Sequence, residues 1–167
     1  MLPNCCEPTF LTDCMLGKLA RWLTILGYDA RCAPSDSRED AALLEEAQRE
    51  GRIFLTRDTR IPPVRGLRML VLREQRFEDQ LKRVLQEFSL TPDPERFFTR
   101  CTLCNKALVR VAREEALPNV PEKVRGLQTD FFLCAACGHY YWTGTHVENT
   151  LNKLRRMGIR TEELGET

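Results

Sequence analysis

No run of apolar residues in this chain approaches the roughly 18 needed to cross a bilayer, so the sequence offers no membrane-spanning helix. The first thirty residues carry Glu7, Asp13 and Lys18 and no uninterrupted apolar core, and so lack the make-up of a secretory signal. A soluble, cytoplasmic protein without a membrane partner is the expectation. Repeats of fold-defining period and low-complexity tracts are absent too, which sets aside solenoids and long flexible tails. Strong charge of one sign is missing: 25 Lys and Arg against 24 Asp and Glu give a formal net charge of +1. Residues 1–95 hold 14 basic against 16 acidic side chains (net −2) and residues 96–167 hold 11 against 8 (net +3). An imbalance of this size permits a nucleic-acid partner without requiring one. Histidine occurs only at His139 and His146, where a surface position is the default, and neither joins the catalytic set.

Cysteine is plentiful by comparison, and half of the eight fall into two Cys-x-x-Cys pairs, Cys101/Cys104 and Cys134/Cys137. In a reducing compartment this spacing favours a four-thiolate zinc site over disulfides, and a closed shell of four thiolates is structural because it leaves no open coordination position. The residues following each pair, Asn105 and Gly138, are the types that best tolerate the positive φ of a knuckle turn. The 29 residues from 105 to 133 exceed the usual ribbon spacing, and Pro118 and Pro121 suggest a long hairpin or flap between the knuckles. Phe131, Phe132, Tyr140, Tyr141 and Trp142 flank the second pair, where they either stack unpaired bases or pack the small module. Cys5, Cys6, Cys14 and Cys32 lack ligand spacing and read as free or buried thiols.

The residues before this module read as an α/β domain. Thr9-Phe10-Leu11-Thr12 is β-prone and ends at Asp13, after which Met15, Leu16, Leu19, Leu23 and Leu26 recur at helical spacing up to Gly27. Residues 28–33 form a second strand, and Ser37 to Asp40 open a helix closed by Gly51. Ile53 to Thr56 is a third strand, Met69 to Leu72 a fourth, and Phe77, Leu81, Val84, Leu85 and Phe88 mark a last helix. Alternating strands and helices predict right-handed crossovers and a mainly parallel sheet. Residues 91–94 are the expected linker, giving an α/β domain over 1–94 and a zinc-ribbon domain with a C-terminal helix over 95–167.

In such a sheet Asp13 and Asp58 fall at the C-terminal ends of strands, where parallel α/β folds place ligands, and Asp40 starts a helix near the same edge. Three converging carboxylates repel unless a cation lies among them, and a hard ion such as Mg²⁺ or Mn²⁺ relieves this. That ion can activate water and offset charge on a phosphodiester. Duller readings exist for each acid: an N-cap for Asp13, a capping box with Ser37 for Asp40, a turn for Asp58. Lys18 and Arg21, off the apolar stripe of the first helix, and Arg57 are candidate phosphate contacts.

The stretch from Phe10 to Leu23, then Gly27-Tyr28-Asp29, Gly51 to Asp58, both cysteine pairs and Tyr141-Trp142-Thr143-Gly144-Thr145-His146 together resemble the PIN-like RNase domain at the C terminus of Mut-seven-type exonucleases. The resemblance covers residues 9 to 155. It implies a PIN-like nuclease core with a zinc ribbon, RNA as substrate, and acidic positions at Asp13, Asp40 and Asp58, with Glu39 able to replace Asp40. Thr24 stands where basic residues are frequent in the family. A metal-dependent ribonuclease acting on single-stranded RNA is the leading expectation. A non-catalytic RNA-binding adaptor on the same scaffold, or a zinc-stabilised protein-interaction module, are its rivals.

Overall fold

A computed structural model describes residues 7–35 and 40–161. The chain divides into two compact units, Met1–Thr91 and Pro92–Thr167. No helix among the described residues is long and apolar enough to cross a membrane.

In the first unit β1 (Phe10–Thr12) leads through a 3-10 turn (Cys14–Leu16) into α1 (Gly17–Ile25). Then follow β2 (Ala30–Cys32), α2 (Asp40–Arg49), β3 (Ile53–Thr56), β4 (Met69–Val71) and α3 (Phe77–Glu87). The four strands form one parallel sheet in the order β2-β1-β3-β4. Ser37, Arg38 and Glu39, expected to open α2, lie outside the described residues.

The two central strands, β1 and β3, are buried along their whole length, as strands covered on both faces are, whereas the edge strands β2 and β4 are only partly buried. Leu11 and Phe54, paired across β1 and β3, meet Ala33, Leu43, Ala47 and Ile61 on the α2 side. The Phe10 ring lies against Tyr28 and Phe88, with centroids 6.1 and 6.0 Å away. Buried Thr24 donates its hydroxyl to the Ala20 and Ala30 carbonyls, tying α1 to β2 instead of facing solvent as a basic residue there would. At the amino-terminal edge Arg52 joins Asp29, Glu50 and the Phe10 carbonyl. The carboxyl-terminal edge is left to the candidate site.

The second unit begins with a 3-10 turn (Pro94–Arg96) and is built on an antiparallel sheet of β5 (Val109–Val111), β6 (Phe131–Leu133) and β7 (Tyr140–Trp142). β5 and β6 pair as the arms of the long hairpin expected between the knuckles, and the flap that joins them is helical. It consists of α4 (Arg113–Ala116), a 3-10 turn (Leu117–Asn119) and α5 (Glu122–Arg125). The prolines allow this: Pro118 sits in the first turn and Pro121 at the N-cap, positions where a missing N–H costs nothing. This flap encloses a small core of Ala116, Val120, Val124 and Phe131, with Val111, Tyr140 and Trp142 packed on it. The chain then runs into α6 (Thr145–Arg156).

Candidate functional site

The two Cys-x-x-Cys turns are built alike. In the first, the Cys101 amide donates to the Lys106 carbonyl (2.8 Å) and the Asn105 amide to the Cys101 carbonyl (2.8 Å). In the second, the Cys134 amide donates to the His139 carbonyl (2.9 Å) and the Gly138 amide to the Cys134 carbonyl (2.8 Å). Asn105 (φ 61°) and Gly138 (φ 72°) take the left-handed conformation that their residue types favour. All four sulfurs lie within 4.8 Å of one another. Cys101 and Cys137 are 3.6 Å apart and Cys104 and Cys134 are 3.4 Å apart. A tetrahedron with Zn–S near 2.3 Å has sulfur edges of about 3.8 Å, so a zinc ion fits with sulfur shifts of at most about 1 Å.

Spacing alone does not mark Tyr141. Its hydroxyl sits 3.1 Å from the Cys101 sulfur and 3.4 Å from the Thr102 hydroxyl. Burial and the adjacent Cys101 sulfur push this phenol up to about 12, so it remains a donor at neutral pH. Burial alone would raise the Cys101 thiol, but the Tyr141 hydroxyl and the Cys104 and Leu103 amides outweigh it and hold Cys101 at about 6. A donor to a ligand sulfur steadies the thiolate and orients it. Replacing Tyr141 with Phe should therefore speed zinc transfer to a chromogenic chelator by about 3–10-fold with the fold retained.

The other aromatics pack more than they display. Phe131 is buried, Tyr140 and Trp142 lie on the flap core, His139 rests on Tyr141 and His146 on Trp142. Neither histidine belongs to the sulfur cluster.

At the carboxyl edge of the parallel sheet, Asp13 follows β1 and is only 8% exposed. Oδ1 accepts from the Met15 and Leu16 amides (2.9 and 3.2 Å), and Oδ2 from the Thr56 hydroxyl (2.6 Å) and the Arg57 amide (2.8 Å). A carboxylate has about four acceptor positions, and four protein donors occupy these. The cap expected of Asp13 is present, and with it a strap from β1 to β3. Thr56 also accepts from the Asp58 amide (2.9 Å), so the anchor and the next acid share one hydroxyl.

Asp58 and Asp40 line the same open cleft of about 500 Å³, together with Ala41, Leu44, Arg60, Ile61 and Pro62. Arg60 grips Asp58 and holds its carboxyl down at about 2, so Asp58 is an anion throughout the neutral range. The three acids do not converge as the sequence suggests: among the described residues, the cysteines form the one group of three or more ligand-type side chains within 4.8 Å of one another. Asp40 and Asp58 share a cleft, and Asp13 faces protein donors.

Of the basic candidates, Lys18 holds its ammonium 4.1 Å over the Phe77 ring, which stacks on Trp22. Arg21 is exposed on α1. Arg57 donates from Nη2 to Gln75 (2.9 Å), while its Nε is buried without a partner. Glu74, just beyond β4, likewise keeps Oε2 buried and unpartnered, a feature only tertiary placement reveals. Cys14 and Cys32 are free and exposed, and the Cys32 thiol lies 3.4 Å from the Asp13 carbonyl. Cys5 and Cys6 lie outside the described residues.

A parallel four-stranded sheet flanked by helices, followed in sequence by a four-cysteine cluster that fits a zinc ribbon, makes this a mixed α/β protein. The Mut7-C RNAse domain model matches residues 8–154, and the chain belongs to that family. Comparison with curated proteins and with solved structures finds no match.

Proposed function

We propose that this chain is a divalent-cation-dependent ribonuclease that hydrolyses phosphodiester bonds of single-stranded RNA at the carboxyl edge of the parallel sheet. One observation carries the reading: in a chain of the RNase-domain family, carboxylates from two separate elements, Asp40 on α2 and Asp58 after β3, line one open cleft. That edge is where parallel α/β sheets present ligands.

The donor set fits a hard cation. Carboxylate oxygens are what Mg²⁺ and Mn²⁺ take, and Glu74 keeps a further buried oxygen without a partner beyond β4. A bound divalent cation would supply a more acidic water and offset charge building on the phosphodiester. Asp40 and Asp58 would hold it. Asp13 acts one step back, fixing the ends of β1 and β3 so that Asp58 projects into the cleft. Lys18, Arg21 and Arg57 would lend positive charge to phosphates, with no protein nucleophile required. The zinc centre holds the second unit together and takes no part in the chemistry.

The test is cleavage of a labelled single-stranded RNA by the full chain with Mg²⁺ or Mn²⁺, beside Asp58→Asn. Asp58 is accessible and straps no strand, so the variant should melt like wild type while cutting roughly 100-fold more slowly. Equal cleavage by both would trace the activity to a contaminant. Binding without cleavage by the wild type would favour an RNA-binding adaptor.

A further inference from the structure

The cleft between Asp40 and Asp58 already contains a cation of the protein's own. The Arg60 amide donates to Asp58 Oδ1 (2.8 Å), its Nε reaches Oδ1 and Oδ2 (3.0 and 3.2 Å), and its Nη2 donates to Oδ2 (2.6 Å). Both oxygens of Asp58 are engaged by one residue. Asp40, on the other wall, also acts on Arg60 through its charge. We propose that Arg60 is a resident counter-cation on Asp58 at the open Asp40–Asp58 cleft, and that it must swing clear when a divalent ion enters. Cation loading and release of the guanidinium are then one exchange. The proposal rests on the metal reading given above.

Local architecture suits such an arm. The backbone on its C-terminal side is fixed: Ile61 is buried in the core under α2, and Pro62 and Pro63 restrict the chain immediately after it. The Arg60 side chain is itself 88% exposed, so the carboxylate tethers it rather than packing. The result is a free lever on a firm post. A planar fork that matches a carboxylate in two-point fashion matches a phosphate equally well. Once displaced, Arg60 stays at the cleft rim, placed to take a substrate phosphate.

The exchange is tested by calorimetric titration of Mn²⁺ into zinc-loaded full-length wild type, Arg60→Gln, Arg60→Lys and Asp58→Asn. Arg60→Gln should bind Mn²⁺ about tenfold more tightly, and Arg60→Lys, which keeps the charge but loses the fork, at least about threefold more tightly. In a parallel nuclear magnetic resonance titration with Mg²⁺, the Arg60 Nε–H signal, assigned by its loss in Arg60→Gln, should move along the wild type's Mg²⁺-binding isotherm. Equal affinity of wild type and Arg60→Lys would mean that net charge alone is at work, and would overturn the exchange. So would an Nε–H signal that stays in place at saturating Mg²⁺, or Mn²⁺ binding that survives in Asp58→Asn. Absence of saturable heat in wild type and both Arg60 variants would instead fell the metal reading itself, and the exchange with it.

Discussion

Asp13→Ala should unfold in denaturant with a loss of roughly 2–5 kcal/mol, a large part of the stability of a domain this size. The substitution strips the Arg57 amide and the Thr56 hydroxyl of their acceptor, while the Leu16 amide keeps the Asp13 carbonyl (3.2 Å) and the Met15 amide, on an exposed residue, can turn to water. A buried donor stripped of its acceptor costs about 1–3 kcal/mol, which sets the scale. Asp13→Asn should fare little better, because an amide nitrogen placed where two donors already point repels both. The contrast with Asp58→Asn is the informative part. One variant is expected to lose stability and activity together; the other is expected to lose activity alone. A denaturation curve for Asp13→Ala that overlays the wild type would refute the strap between β1 and β3.

Cys134→Ser should abolish zinc and the second unit's structure at once. Elemental analysis should give about one zinc per wild-type chain and none in the variant, and trypsin should then cut first within residues 92–161. The reason is size. The flap core holds four buried residues, and the two knuckles are joined to it by three-residue strands. Apolar burial on this scale yields only a few kcal/mol, whereas structural zinc sites supply on the order of 10 kcal/mol. Cys134 is completely buried, so a serine there leaves a hydroxyl without a soft partner in the sulfur cluster. A zinc-free protein with residues 92–161 still protected would show the metal to be dispensable.

Legibility in the sequence follows the range of the interactions involved. β3 reads from Ile53 to Thr56 as the structure has it, because three apolar residues and a β-branched threonine between Gly51 and Asp58 have few alternatives. Knuckle geometry at Asn105 and Gly138 is readable for the same reason: one residue's φ decides the turn. The long connection between the knuckles is legible but its short helices are not, because proline, which breaks long helices, also starts short ones. The site is only half visible. That Asp13, Asp40 and Asp58 sit on one edge follows from strand order, but the direction each carboxylate faces depends on tertiary donors. Arg57 supplies its amide to Asp13 from 44 positions away, and Arg60 competes for Asp58 through a two-residue turn. Glu74 escapes a sequence reading because nothing in its neighbours announces a buried, unmatched oxygen.

The wide separation of the knuckles has a further consequence during synthesis. Cys101 and Cys137 are 36 positions apart. At roughly 5–20 residues per second, the leading pair of thiols therefore waits about 2–7 s for the trailing pair to be made. Through that interval the nascent chain has finished the segment for its parallel sheet, and the two sulfurs of the first knuckle lack their ligand partners, open to oxidants and to half-formed metal adducts. With zinc in the four-sulfur cluster, its supply and thiol protection at the ribosome would set how much folded second unit a cell obtains.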